Sequence, residues 1–304
     1  MGLFSSKPVT IKISESGECA LLKFGVSSMQ GWRAQMEDSY IAESNFDEEI
    51  SLFAVFDGHG GPDIAKFCKK YLPKELKINL NYIRGDYKTA LEETFIKIDE
   101  MLLTSEGQEL LDEFASEKNT KGIMTGCTAN IVLIARNNLY VANSGDSRAV
   151  LFTKNCNVYS LSRDHKPHIK TEEQRIIRAG GYIYNGRVNR KLNLTRAIGD
   201  LFYKQNKNFS LKEQIITAFP DVINHKLTSD DAFVLMGCDG IWESGSNKEI
   251  CELVNMKLND KPNKSLSLIL EEILNELLAA DGNDKLGVDN MTAILIKLKN
   301  SNTS

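Results

Sequence analysis

One segment of this 304-residue sequence joins an apolar run of strand length to an acidic residue and a cluster of glycines: SLFAVFDGHGG, residues 51–61. The apolar run at 52–56 predicts a buried β-strand, and Asp57 would stand at its end. The glycines on both sides of His59 lack a Cβ atom, so main-chain atoms there can come within bonding distance of a ligand. We interpret the segment as a candidate metal and phosphate site. An Asp-Gly pair after a strand is most often a simple turn, so this pair alone leaves both interpretations open.

The overall composition is that of an ordinary globular protein, large enough for one sizeable core or two modest ones, because 42% of the residues are hydrophobic. The formal net charge is −4, so no overall basic field attracts nucleic acid, and we expect no nucleic-acid partner. The six cysteines are scattered, without a Cys-x-x-Cys pair. This pattern argues against a zinc site and against a disulfide framework.

The N-terminus predicts a cytoplasmic protein that touches a membrane reversibly. The sequence has neither an apolar run of membrane-spanning length nor a hydrophobic signal core. Its first six residues, MGLFSS, fit the pattern for N-myristoylation of Gly2, although so short a motif also matches by chance. One acyl chain holds a membrane only marginally, and Lys7 is the basic residue near it. We therefore expect reversible, peripheral contact with the cytoplasmic face of a membrane.

Apolar periodicity predicts four main helical stretches after a helix that opens at Pro62 and Asp63. They lie at about 86–115, 170–179, 247–258 and 265–280.

Short apolar runs between turn residues predict the strands. One strand is predicted at 21–28, and the segments CTANIVLIA, LYVAN, SRAVLF and VYSLS predict an antiparallel meander within one sheet. The polar stretch 116–126 is the candidate mobile connector. Residues 182–195 predict a hairpin that carries three cations, Arg187, Arg190 and Lys191, which are either solvated or recruit an anionic substrate.

Acidic residues recur at the borders of the apolar runs, and they suggest a shared metal site. Asp57, Asp146, Asp239 and Asp289 all border such runs, and Glu37 and Asp38 lie near the start of another. Strand ends in packed sheets converge on common edges, so these acids could gather in one cleft. Six carboxylates in one cleft would repel one another unless divalent cations neutralised them. Oxygen ligands without thiolates favour Mg²⁺ or Mn²⁺, and two such ions are a template for phosphoester hydrolysis.

An arginine would complete such a site, and Arg33 stands just before the first two of these acids. Its guanidinium could be a fork for a phosphate, or it could form a solvated salt bridge with Glu37 and Asp38.

An ordered set of motifs resembles the PPM family of metal-dependent serine/threonine protein phosphatases, often called type 2C. The motifs are GWRAQMEDSY, FAVFDGHGG, GCTANIVLI, YVANSGDSRAVL, LSRDHKP, GRVNRKLNLTRAIGD, FPDV, VLMGCDGIWE and DNMTAIL, and they span about residues 23–299. The resemblance implies an α+β fold, a four-layer α-β-β-α sandwich of two central antiparallel sheets flanked by antiparallel helix pairs. It also implies one phosphatase domain at 21–300, after an N-terminal segment at 1–20.

The family resemblance also implies a function and a role for each site residue. The chain would hydrolyse phosphoserine and phosphothreonine in proteins, by attack of a water activated by two Mn²⁺ or Mg²⁺ ions. The expected metal ligands are Asp57 as the bridge, Asp239 and Asp289 on the first ion, Glu37 and the carbonyl of Gly58 on the second, and Asp146 with Asp239 at a weaker third ion. Asp38 would orient the water, Thr128 would tune the acids, Arg33 would bind the substrate phosphate, and His59 would protonate the departing oxygen.

Two other functions stay open on the same fold: a catalytically silent binding or regulatory module, and a small-molecule phosphoesterase. The retained metal carboxylates favour an enzyme over the module. The sequence predicts no oligomeric state.

One residue departs from the family pattern. Glycine is usual where this chain has Arg190, and an arginine at positive φ would cost about 1 kcal/mol relative to glycine. We expect Arg190 and Lys191 to favour substrates that are acidic around the phosphosite.

Overall fold

Two antiparallel β-sheets packed face to face form the centre of the protein. The structure is a computed structural model that describes residues 4–114 and 124–299. In chain order the strands are β1 (Phe4–Glu18), β2 (Leu22–Arg33), β3 (Ser39–Asp47), β4 (Ile50–Phe56), β5 (Gly58–His59), β6 (Gly126–Cys127), β7 (Ala129–Ala135), β8 (Asn138–Ser144), β9 (Arg148–Thr153), β10 (Val158–Ser160), β11 (Ile183–Tyr184), β12 (Arg187–Val188), β13 (Ile198–Gly199), β14 (Asp221–Lys226), β15 (Asp231–Gly237) and β16 (Met291–Leu298).

The order of the strands explains which sequence segments are the most apolar. One central sheet runs β1-β2-β16-β15-β9-β10, and the other runs β14-β8-β7-β4-β3. The strands β4 and β7 lie inside the second sheet and are buried along their whole length. Both strands are therefore mostly apolar and lack an exposed polar face, as the run before Asp57 predicts.

The core between the two sheets is built from side chains of both. Phe24 of β2 packs edge to face on Phe53 of β4, with ring centroids 5.4 Å apart. Val26, Val55 and Val132 extend the same core. Burying a side chain of this size stabilises the fold by about 2 kcal/mol. The packed sheets thus give the loops at their ends a rigid support.

Helices cover both outer faces of the sheets. In chain order the helices of the described residues are α1 (Asp63–Ile78), α2 (Leu80–Ile83), α3 (Tyr87–Leu103), α4 (Ser105–Asp112), α5 (Lys170–Arg178), α6 (Asp239–Trp242), α7 (Asn247–Asp260) and α8 (Leu266–Leu277). The pair α1 and α3 packs on the sheet that contains β4, and the pair α7 and α8 covers the sheet that contains β2. The four-layer α-β-β-α sandwich expected from the family resemblance is confirmed.

The local sequence explains where helices begin. At α7, the Ser246 side chain accepts a hydrogen bond from the Glu249 amide, and the Glu249 carboxylate accepts one from the Ser246 amide. This reciprocal cap satisfies two donors that would otherwise lack partners.

The prediction of a single-sheet meander is wrong. The strands β7 and β8 belong to one sheet, whereas β9 and β10 belong to the other. The short segment after Ser144 carries the chain across the sandwich, and Gly145 adopts φ +117° there. Periodicity shows strands and turns but not which sheet a strand joins, and three residues can span the roughly 10 Å between packed sheets.

The predicted long helix at 86–115 is divided into α3 and α4. The hydroxyl of Thr104 caps α4 by accepting a hydrogen bond from the Gly107 amide, at 3.0 Å. A Cβ atom on Gly107 would lie 1.7 Å from the carbonyl oxygen of Met101. The two helices meet so closely that glycine is required at this position. The predicted connector falls largely on residues 115–123, outside the described residues.

The N-terminal strand β1 pairs with β2 from Phe4 opposite Arg33 to Glu18 opposite Lys23. The described part of the segment 1–20 is therefore an edge strand of a central sheet, and the division at residue 21 stays a prediction. The predicted strand at 21–28 continues to Arg33. No helix in the ranges 4–114 and 124–299 is long and apolar enough to cross a membrane.

Candidate active site

The loop after β4 makes a close backbone contact at a glycine. Asp57 follows β4 directly, and its carbonyl accepts a hydrogen bond from the Thr128 amide at 2.9 Å. The Asp57 amide donates in turn to the Thr128 hydroxyl, at 3.2 Å. A Cβ atom on Gly58 would lie 2.4 Å from the carbonyl oxygen of Glu37. Only glycine lets this loop approach the loop that carries Glu37.

A second close contact brings two acids of the other sheet together. Asp239 begins α6 at the end of β15, and Asp289 lies two residues before β16. A Cβ atom on Gly240 would lie 2.1 Å from the carbonyl oxygen of Asn290. The close approach at this glycine holds Asp239 beside Asp289.

Asn290 ties the Glu37 loop to this corner. Its side-chain oxygen accepts a hydrogen bond from the Glu37 amide at 2.9 Å. Its side-chain amide donates to the carbonyls of Gln30 and Gln35, at 2.8 and 3.0 Å. Sequence reasoning assigned Asn290 no role, since its partners lie some 250 residues away along the chain.

These loops enclose a cleft of about 540 Å³ at one end of the sandwich. The predicted site residues that line it are Arg33, Glu37, Asp57, Gly58, His59, Asp146, Asp239, Asp289 and Lys191. Arg187, Thr128 and Asn290 line it as well. The structure therefore brings the predicted acids to one cleft, apart from Asp38, which is buried and is not among the lining residues.

The carboxyl groups of the cleft raise one another's pKa. Burial and the neighbouring Asp239, Asp38, Asp146 and Asp289 raise the pKa of Asp57 well above its usual value. Burial and the same kind of repulsion raise the pKa of Asp239, whose carboxyl is also hydrogen-bonded to Asp57. The pKa values of Glu37 and Glu243 are raised too, mainly by burial. Such a cluster has less negative charge near neutral pH than its composition suggests, unless cations are present.

Asp38 is a buried acid whose two oxygens have different surroundings. One oxygen, Oδ2, accepts a hydrogen bond from the Thr292 hydroxyl at 2.7 Å. The other, Oδ1, is buried without a hydrogen-bond partner within the described residues. Burial raises the pKa of Asp38 to about 7. Potential ligand atoms of Asp38, Asp57 and Cys238 lie within 4.8 Å of one another.

The donor set fits divalent cations that prefer oxygen. The thiol of Cys238 donates to the carbonyl of Asn290 and accepts from the Thr292 amide, at 3.3 and 3.2 Å. Burial also raises its pKa well above the usual thiol value, so Cys238 is a poor metal ligand. The buried, unpartnered oxygen of Asp38 and the crowded carboxyls around Asp57 suit Mg²⁺ or Mn²⁺.

Arg33, at the end of β2, makes an ion pair with Asp289 at the cleft wall. Of the two sequence interpretations, an ion pair is what the structure contains, although its partner is Asp289 rather than the adjacent Glu37 or Asp38. Phosphate binding by Arg33 stays a prediction.

His59 is oriented by a buried carboxylate that sequence reasoning missed. Its Nε2 donates a hydrogen bond to Oδ2 of Asp200 at 2.7 Å. Asp200 is fully buried and adopts φ +51°. Burial alone would lower the pKa of His59, but the Asp200 carboxylate raises it. A Cβ atom on Gly126 would lie 2.7 and 2.8 Å from these two side chains. The only sequence sign of this partner is Asp200 itself, the acidic residue that ends the segment RAIGD.

Lys166 is a second partner that sequence reasoning missed. Its ammonium pairs with the carboxylate of Asp146, which is 3% exposed. Burial lowers the pKa of Lys166, but Asp146 outweighs that effect and raises it. His165, next to Lys166, has a structural role, since its Nδ1 accepts a hydrogen bond from the Gly145 amide at 3.1 Å.

The predicted hairpin is formed by β11 and β12, and two of its three cationic side chains face the cleft. Arg187 and Lys191 line the cleft. Arg190 adopts φ +64°, the positive φ at which an arginine is less favourable than the glycine usual in the family. Its guanidinium lies 4.5 Å from the ring centroid of Tyr184 in the same hairpin. Arg190 is not among the cleft-lining residues of the described chain.

A family model described as protein phosphatase 2C matches residues 22–286. The chain belongs to the protein phosphatase 2C family. Among its protein phosphatase 2C relatives, "Probable protein phosphatase 2C 3" of Paramecium tetraurelia is 46% identical over 301 residues, covering 98% of this chain and 100% of that protein. "Probable protein phosphatase 2C 21" of Arabidopsis thaliana is 40% identical and covers 100% of this chain and 94% of its own.

Solved structures agree with the protein phosphatase 2C fold. A phosphatase from Toxoplasma gondii superposes with a TM-score of 0.76 at 23% identity, covering 96% of each chain. A serine-threonine phosphatase 2C from the same organism gives 0.75 at 18% identity, covering 95% of this chain and 100% of its own.

The raised carboxyl pKa values predict a pH dependence of stability for the metal-free protein. The folded state binds protons more tightly than the unfolded state, so the free energy of unfolding should fall as the pH rises through about 5 to 7. The rise for Asp38 from 3.8 to about 7 corresponds to at most about 4 kcal/mol. Urea unfolding in chelator would measure this slope, which Asp38→Asn should make shallower and added Mg²⁺ should remove. Stability that rises with pH in chelator would contradict the prediction.

Proposed function

We propose that this chain dephosphorylates phosphoserine and phosphothreonine in proteins, in a reaction that depends on Mg²⁺ or Mn²⁺. The family model and the relatives named protein phosphatase 2C support a metal-dependent phosphatase. The observation that carries the proposal is the cleft, which gathers the acids, Arg33 and His59 from both sheets. It is the arrangement that transfer of a phosphoryl group to water needs.

The carboxylates hold the cations. Asp57, from the sheet that contains β4, would be shared by two ions. Asp239 and Asp289, from the other sheet, would hold the first ion, and Glu37 with the carbonyl of Gly58 would hold the second. Asp146 would join Asp239 at a weaker third ion. When bound, two such ions supply a water that is nucleophilic at neutral pH and neutralise charge on the phosphoryl oxygens. The raised pKa values of Asp57 and Asp239 support this assignment, because those groups need added positive charge to ionise.

The remaining residues of the cleft act on the substrate. Arg33 binds the phosphate, and its ion pair with Asp289 fixes the direction of the guanidinium. Asp38 accepts a hydrogen bond from the attacking water. His59 gives the proton at Nδ1 to the departing serine or threonine oxygen, while Asp200 holds Nε2 on the other side of the ring. Thr128 positions Asp57 through its two backbone contacts.

The cysteines near the cleft do not supply a nucleophile. Cys127 and Cys238 are fully buried, and burial raises the pKa of both thiols well above the usual value. A protonated, inaccessible thiol is a poor nucleophile, so attack by water accounts better for the site.

Phosphate release from a phosphothreonine peptide tests the function. We expect release with Mn²⁺ or Mg²⁺ and none with chelator. Asp239→Asn should lower kcat at least about a hundredfold, because it removes the negative charge of a metal ligand while keeping the size of the side chain. The exposed Asp260→Asn is the matched control and should leave kcat unchanged.

Other outcomes would favour the alternative functions. A folded protein without release under either metal would favour the binding module. Faster turnover of phosphorylated metabolites than of phosphopeptides would favour the small-molecule phosphoesterase.

The hairpin cations are proposed to select substrates with acidic residues around the phosphosite. Lys191 lines the cleft, whereas Arg190 stacks on Tyr184. Lys191→Ala should therefore lower kcat/KM for an acidic phosphopeptide several-fold and leave a neutral one nearly unchanged, with a smaller effect for Arg190→Ala. A double alanine variant with wild-type peptide preference would rule the proposal out.

The location is a further part of the proposal: a cytoplasmic protein that contacts a membrane reversibly through N-myristoyl Gly2. Its support is the sequence motif, since residues 1–3 lie outside the described residues. Co-expression with an N-myristoyltransferase should add the mass of one myristoyl group, and Gly2→Ala should prevent it. An unmodified wild-type protein would count against the acylation.

A further inference from the structure

Asp146 lies on the segment that crosses between the two sheets, and it already carries a positive partner. Its carboxylate is 3% exposed and lines the cleft. The ammonium of Lys166, on a side chain that is 25% exposed, pairs with its Oδ2. An ammonium in contact with a buried carboxylate is attracted strongly, because little solvent separates the two charges.

A backbone clasp fixes Lys166 opposite Asp146. The amide of His165 donates to the carbonyl of Gly145 at 2.9 Å. The Gly145 amide donates back to Nδ1 of His165 at 3.1 Å. The other ring nitrogen of His165 donates to Asp221, at 3.1 Å. These contacts join the residues just before Asp146 and Lys166, so the ion pair is part of the fold and not a chance surface contact.

Gly145 also brings the clasp into close contact with Thr128. It adopts φ +117°, and a Cβ atom there would lie 2.6 Å from the Thr128 side chain. Thr128 in turn bonds both backbone groups of Asp57. The ammonium on Asp146 is therefore built into the same framework that positions the proposed metal ligands.

We propose that Lys166 is a built-in counter-ion that competes with a divalent cation for Asp146, and thereby sets the affinity of the cleft for its weakest cation. This inference rests on the proposed function, in which Asp146 and Asp239 share that cation. A cation that binds Oδ2 of Asp146 must displace the ammonium, and one that binds the other oxygen is repelled by it. The flexible four-carbon stem and partial exposure of Lys166 allow the ammonium to move into the cleft without disturbing the clasp.

Mn²⁺ binding, measured by calorimetry on the full chain, tests the counter-ion. Lys166→Met keeps an apolar stem and removes the charge, and we expect the weakest Mn²⁺ to bind about tenfold tighter. Lys166→Arg keeps the charge and should bind close to wild type. Lys191→Met is the matched control, because Lys191 lines the same cleft but its ammonium lies 3.9 Å from the Met124 sulfur. It should change the affinity much less.

A double-variant comparison assigns the effect to Asp146. Asp146→Asn should remove the weakest binding event, and in that background Lys166→Met should have no further effect on Mn²⁺ binding. Unchanged or weaker Mn²⁺ binding by Lys166→Met would overturn the inference. A raised KM with unchanged Mn²⁺ affinity would also overturn it, and would make Lys166 a phosphate ligand. Phosphate release by the wild type is measured separately, so failure of the counter-ion leaves the phosphatase assignment standing.

Discussion

Repulsion among carboxylates at one end of the sandwich is the interaction on which the rest of the site depends. Asp57 and Asp239 come from different sheets, and burial together with the neighbouring carboxylates raises the pKa of both. The protein limits this repulsion with cationic side chains, since Arg33 pairs with Asp289 and Lys166 pairs with Asp146. Arg33 also lowers the pKa of Glu37, and Lys166 also interacts with Asp239, but the pKa values of both acids stay raised. The cationic side chains of the described residues thus offset only part of the repulsion, and an outside cation would offset the rest.

Such crowding is tolerated because the loops are fixed by close backbone contacts. Gly58, Gly126 and Gly240 each stand where a Cβ atom would collide with a neighbouring chain segment. The two sheets supply the rigid base for these contacts through a core that joins Phe24 to Phe53. A site held in this way keeps its geometry before any ligand arrives, which is what lowers the reorganisation needed during a reaction.

The sequence predicted the acids of the site better than their partners. An apolar strand that ends at Asp57, and a similar one that ends at Asp239, are local patterns, and the structure places both at the cleft. The resemblance to a known family extended this to the fold. The partners Asp200, Lys166 and Asn290 could not be predicted in the same way, because each acts through a contact between distant segments. The sheet crossing after Ser144 was missed for a similar reason, since hydrophobic alternation is the same in either sheet.

The two-sheet origin of the acids has a mechanical consequence. A divalent ion held by both Asp57 and Asp239 would join two layers of the sandwich, much as a disulfide joins two strands. Such a cross-link closes a long stretch of chain into a loop and removes conformational freedom from the unfolded ensemble. Loading the cleft would therefore slow the separation of the sheets, so that resistance to proteolysis and readiness for catalysis would rise and fall together.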